Sequence, residues 1–143
     1  MGRKVARGRD ERRLRILIVE DEALVALEME GILSDAGYEV VGIADDRESA
    51  LRAAGRGEPD LALVDIRLAN GSSGLDVAAD LDHNGVCCLF VTGNCPAERG
   101  REHSFGCLHK PFTERVLVEA VSAAGQLMRG GWPEHLPRGM HLY

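Results

Sequence analysis

The chain has 143 residues, enough for one domain with one core, and its 45% hydrophobic and 28% charged composition is that of a globular protein rather than a disordered one. No apolar run approaches the roughly 20 residues of a membrane helix, and MGRKVARGRDERRLR lacks the apolar stretch of a secretory signal, so a cytoplasmic location is expected. The net charge of -6 hides an asymmetry: residues 1–15 carry seven basic residues against Asp10 and Glu11, whereas residues 16–129 carry 9 basic and 20 acidic, a body that disfavours direct nucleic-acid binding.

In chain order, residues 1–13 read as a basic, solvated arm. LRILIV (14–19) then opens the first of five apolar, β-branched runs, followed by YEVVGI (38–43), LALVDI (61–66), VCCLFVT (86–92) and the short CLHK (107–110). They are too continuously apolar for a half-exposed antiparallel sheet, and parallel strands buried on both faces fit them better. Helical spacing falls between them at 22–36, 45–56 and 74–83, weakly at 96–104, and at 113–128. Gly37 can cap the first helix at its C-terminus, Asp45 or Asp46 the second at its N-terminus, and Thr113 the last. The segment 94–106 is poor in helix formers and contains Pro96, Gly100 and Gly106, so the fourth helix is expected to be short or mobile. GGWPEHLPRGMHLY (130–143) has no periodicity and reads as a tail.

This alternation predicts a doubly wound α/β sheet with right-handed crossovers over 14–129, whose ligands belong at the carboxyl ends of the strands. There the sequence places Glu20, Asp21 and Glu22 after the first run, Asp65 at the end of the third, Thr92 at the end of the fourth and Lys110 after the fifth. Two carboxylates about 4 Å apart repel by roughly 4 kcal/mol at a protein surface, so such a cluster needs cations. Lys110 supplies one charge, and a hard divalent ion such as Mg²⁺, or Mn²⁺ in its place, would supply the rest. A carboxylate beside a metal and a lysine suits phosphoryl transfer, with an Asp oxygen as nucleophile. No GxxxxGK[ST] loop is present to hold ATP, so the donor should be another protein.

The ordered set IVEDE, LVDIRL, FVTG and HKPF resembles the receiver domain of bacterial two-component response regulators over about residues 14–128. The resemblance implies a flavodoxin-like five-stranded parallel sheet, order 2-1-3-4-5, with helices on both faces. It also implies that Asp65 accepts a phosphoryl group from a sensor histidine kinase or a histidine phosphotransfer protein. Glu20, Asp21, Asp65 and the backbone carbonyl of Arg67 would hold the metal, with Thr92 as switch hydroxyl and Lys110 as phosphate contact. LFVTGNCPAERG is similar to a subgroup of stand-alone receivers with a Phe-x-Thr-Gly motif. Output is then expected through contact with a downstream protein whose identity the sequence leaves open, and a second copy of the chain is a further candidate partner. Arg67 and Asn94, each two residues past a site residue, are expected to modulate phosphoryl lifetime. Cys107 stands where many receivers carry an aromatic switch residue. The alternative is a degenerate receiver acting as a non-switching binding or dimerisation module; a phosphohydrolase is disfavoured because Asp65 lacks the Asp-x-Asp pattern.

Several residues are read as structural. Glu22 is a charge at a helix N-terminus rather than a ligand, and Asp76, Asp80 and Asp82 form a solvated helix face. Cys87 and Cys88 act as small hydrophobes, with a redox role for Cys95 or Cys107 as the weaker alternative. The four cysteines show no CxxC and no His pair at metal-binding spacing, which argues against zinc. His109 is not assigned as a general base, and the other histidines show no constellation.

Overall fold

The computed structural model describes residues 13–143, so the basic arm lies outside the described residues apart from Arg13. The strands are β1 (Arg15–Val19), β2 (Glu39–Ala44), β3 (Leu61–Val64), β4 (Cys87–Thr92), β5 (Gly106–His109) and β6 (Met140–Leu142). The α-helices are α1 (Ala23–Asp35), α2 (Arg47–Gly57), α3 (Gly74–His83) and α4 (Glu114–Met128). The sheet order is β2-β1-β3-β4-β5-β6, the first five strands running parallel. This is the expected order with an addition: β6 comes from the segment read as a tail and pairs antiparallel with β5, Cys107 opposite His141.

The continuous apolar runs are explained by the period of two along a strand. Ile16, Ile18, Leu61, Leu63, Leu89, Val91 and Leu108 pack on one face against α1 and α4, where Met29, Leu33, Leu117, Ala120 and Val121 meet them. Leu17, Val19, Ala62, Val64, Cys88, Phe90 and Cys107 fill the other face with Ala50, Val77, Ala78 and Leu81 of α2 and α3. Burying each Leu, Ile or Val side chain contributes about 1.5–3 kcal/mol, so the two layers together hold the sheet against its conformational entropy.

The helix ends follow local chemistry. The Asp46 carboxylate accepts the Ser49 N–H at 2.8 Å, and the Ser49 hydroxyl in turn accepts the Asp46 N–H at 3.2 Å, a reciprocal cap for α2. Thr113 Oγ1 accepts the Val116 N–H at 3.1 Å, the expected cap for α4. Gly37, with φ of 97°, turns the chain after α1. The weak helix at 96–104 is instead a 3₁₀ turn at Glu98–Glu102, as Pro96 and Gly100 dictate. No helix among the described residues is long and apolar enough to cross a membrane.

Candidate phosphoacceptor and metal site

The N–H of Glu20, the first residue past β1, bonds Ala44 O at 2.9 Å, and that of Asp65, the first past β3, bonds Val19 O at 2.9 Å. Backbone pairing thus carries both acids to the same sheet edge as the strands end. The carboxylate oxygens of Glu20, Asp21 and Asp65 lie within 4.8 Å of one another. Lys110 Nζ donates to Glu20 Oε1 at 2.5 Å and to Asp65 Oδ2 at 2.9 Å. Lys110 is itself placed by its N–H to Thr92 O at 2.9 Å, and the following Lys110–Pro111 bond is cis.

An open pocket of about 610 Å³ stands over this cluster, lined by Asp21, Glu22, Asp65, Ile66, Arg67, Thr92, Gly93, Asn94 and Lys110. Asp65 Oδ1 accepts the Ile66 N–H at 2.7 Å. Thr92 is buried, and its Oγ1 receives only a long contact from the Asn94 N–H at 3.5 Å; its hydroxyl proton has no acceptor among the described residues. The loop beyond Asp65 is folded back by pairing of Arg67 with Ser73 and by the Asn70 amide, which donates to Asp46 Oδ2 at 2.7 Å. Gly74 is required here: its N–H bonds Ile66 O at 2.7 Å, and a Cβ on it would lie 2.0 Å from Asp65 O.

Burial raises the Glu20 carboxyl above its ordinary value, against the pull of Lys110 and the Glu22 N–H, and the neighbouring Asp65 charge adds to the rise. Burial works against the charge on Lys110 as well, but its bonds to Glu20 and Asp65 outweigh this and raise its pKa. Three acids and one ammonium leave uncompensated negative charge, and the donors are all hard oxygens. This donor set fits Mg²⁺.

The expected residues Glu20, Asp21, Asp65, Arg67, Thr92, Asn94 and Lys110 therefore meet at one place. Glu22 occupies the N-cap position of α1 without a side-chain capping bond. Asp80 makes a paired contact with Arg47 at 2.6 and 3.1 Å, and Asp82 meets His103 Nδ1 at 2.8 Å, so these two acids of α3 serve surface pairs. Burial raises the thiol pKa of both Cys87 and Cys88, in keeping with an inert packing role.

Cys107 departs from expectation. It is fully buried in β5 and bonded to Cys95 as a disulfide, with Cα atoms 6.1 Å apart. The sequence carried no indication of this pairing, only a redox role for Cys95 or Cys107 as the weaker alternative. An aromatic does reach this region, from the residue after β6: Tyr143 O–H donates to Pro96 O at 2.5 Å, and its ring fills the space beside Gly100. A second cluster also went unread in the sequence, in which Cys95, His109 and His141 converge. The readable signal was the alternation Cys107-x-His109 and His141-x-Tyr143, which puts each pair on one side of a strand.

The whole arrangement, from the β1 and β3 termini to the lysine after β5, is that of a receiver-type signalling domain. Residues 16–122 match the response regulator receiver domain, and the chain belongs to that family. It is 43% identical over 79 residues to the phyllosphere-induced regulator PhyR of Methylorubrum extorquens, an alignment covering 54% of this chain and 30% of that protein. It is 31% identical over 115 residues to the transcriptional regulatory protein PdtaR of Mycobacterium tuberculosis, covering 77% of this chain and 56% of that protein. The chain thus spans about half or less of these relatives' length. Among solved structures, the PhyR receiver domain of Erythrobacter litoralis superposes with a TM-score of 0.71 at 31% identity, over 80% of this chain and 92% of that one. Receiver domains are signalling modules of two-component systems that bind Mg²⁺ at an acidic site, and the acidic cluster of Glu20, Asp21 and Asp65 lies where such a site belongs.

Proposed function

We propose that the chain is a cytoplasmic phosphoacceptor receiver, taking a phosphoryl group on Asp65 from a phosphohistidine of a sensor kinase or phosphotransfer protein and signalling by protein contact. The observation that supports this most is Lys110, held between Glu20 and Asp65 at the rim of an open pocket. In the transfer, an Asp65 carboxylate oxygen attacks phosphorus, the P–N bond to the donor histidine breaks with its electron pair going to nitrogen, and the imidazole leaves neutral, its proton supplied by solvent. Mg²⁺ or Mn²⁺, held by Glu20, Asp21, Asp65 and the Arg67 carbonyl, would neutralise charge on the phosphoryl oxygens. Lys110 pairs with one of those oxygens in exchange for its bond to Asp65. The free hydroxyl proton of Thr92 donates to another, and that new bond draws the Thr92–Asn94 loop toward Asp65. Arg67 and Asn94 at the pocket rim restrict the approach of water and so set phosphoryl lifetime.

The test is intact mass after incubation with Mg²⁺ and a small acyl- or amidophosphate. One added phosphoryl group on the wild type and none on Asp65→Ala is the expected result. A second reading, a non-switching binding or dimerisation module, draws support from the Cys95–Cys107 bond at the position of the usual switch aromatic. It predicts no added mass with any donor.

A further inference from the structure

Beside the strand that carries Lys110 lies a cluster that phosphoryl chemistry does not use. The Cys95 sulfur and ring nitrogens of His109 and His141 lie within 4.8 Å of one another, and Cys107 is bonded to Cys95. Three elements converge to build it. Cys107 and His109 alternate along β5 and so point to one side of the sheet, while the antiparallel register sets His141 directly opposite Cys107. Cys95 enters from the loop after β4. The two imidazoles have centroids 5.4 Å apart, and neither ring makes a hydrogen bond to another described residue. Tyr143 braces His141 edge-on at 5.5 Å, and the N–H of His109 is fixed by Gly139 O at 2.9 Å.

We propose that Cys95, Cys107, His109 and His141, with the cysteines reduced, form a Cys₂His₂ site for one Zn²⁺. Ligand atoms around tetrahedral zinc are separated by roughly 3.3–3.8 Å, as bond lengths of about 2.0–2.3 Å require. The Cys95 sulfur and the His109 and His141 nitrogens already lie within 4.8 Å of one another, close to that spacing. Opening the disulfide frees both sulfurs, Cys95 as one of these three and Cys107 as the fourth donor. The site is soft and nitrogen-rich, whereas the cluster at Glu20, Asp21 and Asp65 is all oxygen, so the two sort different metals by donor type.

The chemistry balances with a dithiol reductant. The dithiol gives two electrons and two protons to the Cys95–Cys107 bond and leaves as its own disulfide. Zn²⁺ then replaces the two thiol protons, which pass to solvent. The reducing conditions of a bacterial cytoplasm favour this form over the disulfide. In either form a covalent or coordinate link joins the loop three residues past Thr92 to the strand three residues before Lys110. The metal site itself does not depend on Asp65 being phosphorylated.

The test uses the full chain, reduced with dithiol and freed of it without air, titrated with Co²⁺ in the presence of excess Mg²⁺. Tetrahedral Co²⁺ bound by thiolates gives a sulfur-to-metal charge-transfer band and intense visible bands that oxygen ligands do not produce. One equivalent should develop these bands and one equivalent of Zn²⁺ should bleach them, with no bands from the oxidised chain. His141→Ala, at an exposed position, should weaken Co²⁺ binding by more than about tenfold, and Cys95→Ser should remove about half or more of the charge-transfer band. The proposal is overturned if the reduced chain shows no thiolate band. It is equally overturned if the bands are unchanged in both variants, which would place the metal elsewhere.

Discussion

Lys110 Nζ lies 2.9 Å from Asp65 Oδ2, a contact spanning 45 residues of sequence that closes only because β3, β4 and β5 end at the same sheet edge. The ammonium is held there by Glu20 as well, so in the proposed function it is already in place when charge builds on an incoming phosphoryl group. Preorganised charge of this kind costs no rearrangement at the moment of transfer.

Replacing Lys110 with Ala removes that charge and leaves Glu20 buried beside Asp65 without a counter-ion. The variant is expected to lose at least about tenfold in phosphorylation rate, as the loss of roughly 1.4 kcal/mol or more of transition-state stabilisation implies. Lys110→Arg should recover only part of it, because the guanidinium fork does not fit a point-charge position. Time courses of added mass with a small phosphodonor measure both.

Glu20→Gln should separate stability from function. Burial and the neighbouring Asp65 both disfavour a charge at this position, so removing it should raise the melting temperature of the metal-free protein. Mg²⁺ bound at the proposed site would stabilise the wild type by RT ln(1 + [L]/Kd), and that shift should shrink in the variant. Thermal melts with and without Mg²⁺ give both numbers; a variant less stable without metal and equally stabilised by Mg²⁺ would contradict this.

Gly74→Ala places a methyl 2.0 Å from the Asp65 carbonyl oxygen. Backbone, not a flexible side chain, must yield, so a loss of about 1–3 kcal/mol is expected, together with slower phosphorylation because Asp65 itself moves. Denaturant unfolding measures the first effect and phosphodonor kinetics the second. Gly31→Ala, where nothing lies in the way, should be harmless by comparison.

The cap on α2 predicts a pH dependence. Bonds from the Ser49 N–H and hydroxyl and from the Asn70 amide hold the Asp46 carboxyl below its ordinary value. A depressed folded-state pKa means the stabilisation is present above the unfolded value of about 3.8 and is lost as pH falls through the folded value. The melting temperature of Asp46→Ala should therefore lie a few degrees below wild type at neutral pH, with the gap closing in acid.

Much of this site was legible because an α/β sheet collects its ligands at strand ends, so Glu20, Asp65, Thr92 and Lys110 could be placed from the apolar runs before them. What stayed hidden depended on distant pairing. His141 meets Cys107 through an antiparallel edge strand of three residues, too short for its alternation to stand out in a Gly- and Pro-rich segment. The Cys95–Cys107 bond follows from the same geometry, since spacing along the chain says nothing of how a loop folds back on a strand. The fourth crossover segment lost its helix to Pro96 and Gly100, as composition suggested, but the Tyr143 ring that packs there comes from the far end of the chain.

The central claim concerns one carboxylate, and locating the phosphoryl group tests it most directly. The chain is phosphorylated with a small donor in Mg²⁺, the acyl phosphate is trapped by borohydride reduction, and the peptides are sequenced by mass spectrometry. Conversion of Asp65 to homoserine, with no other residue altered, is the predicted result. An unreduced Asp65 peptide beside a reduced Asp21 peptide, or no reduction anywhere in a fully folded sample, would contradict it.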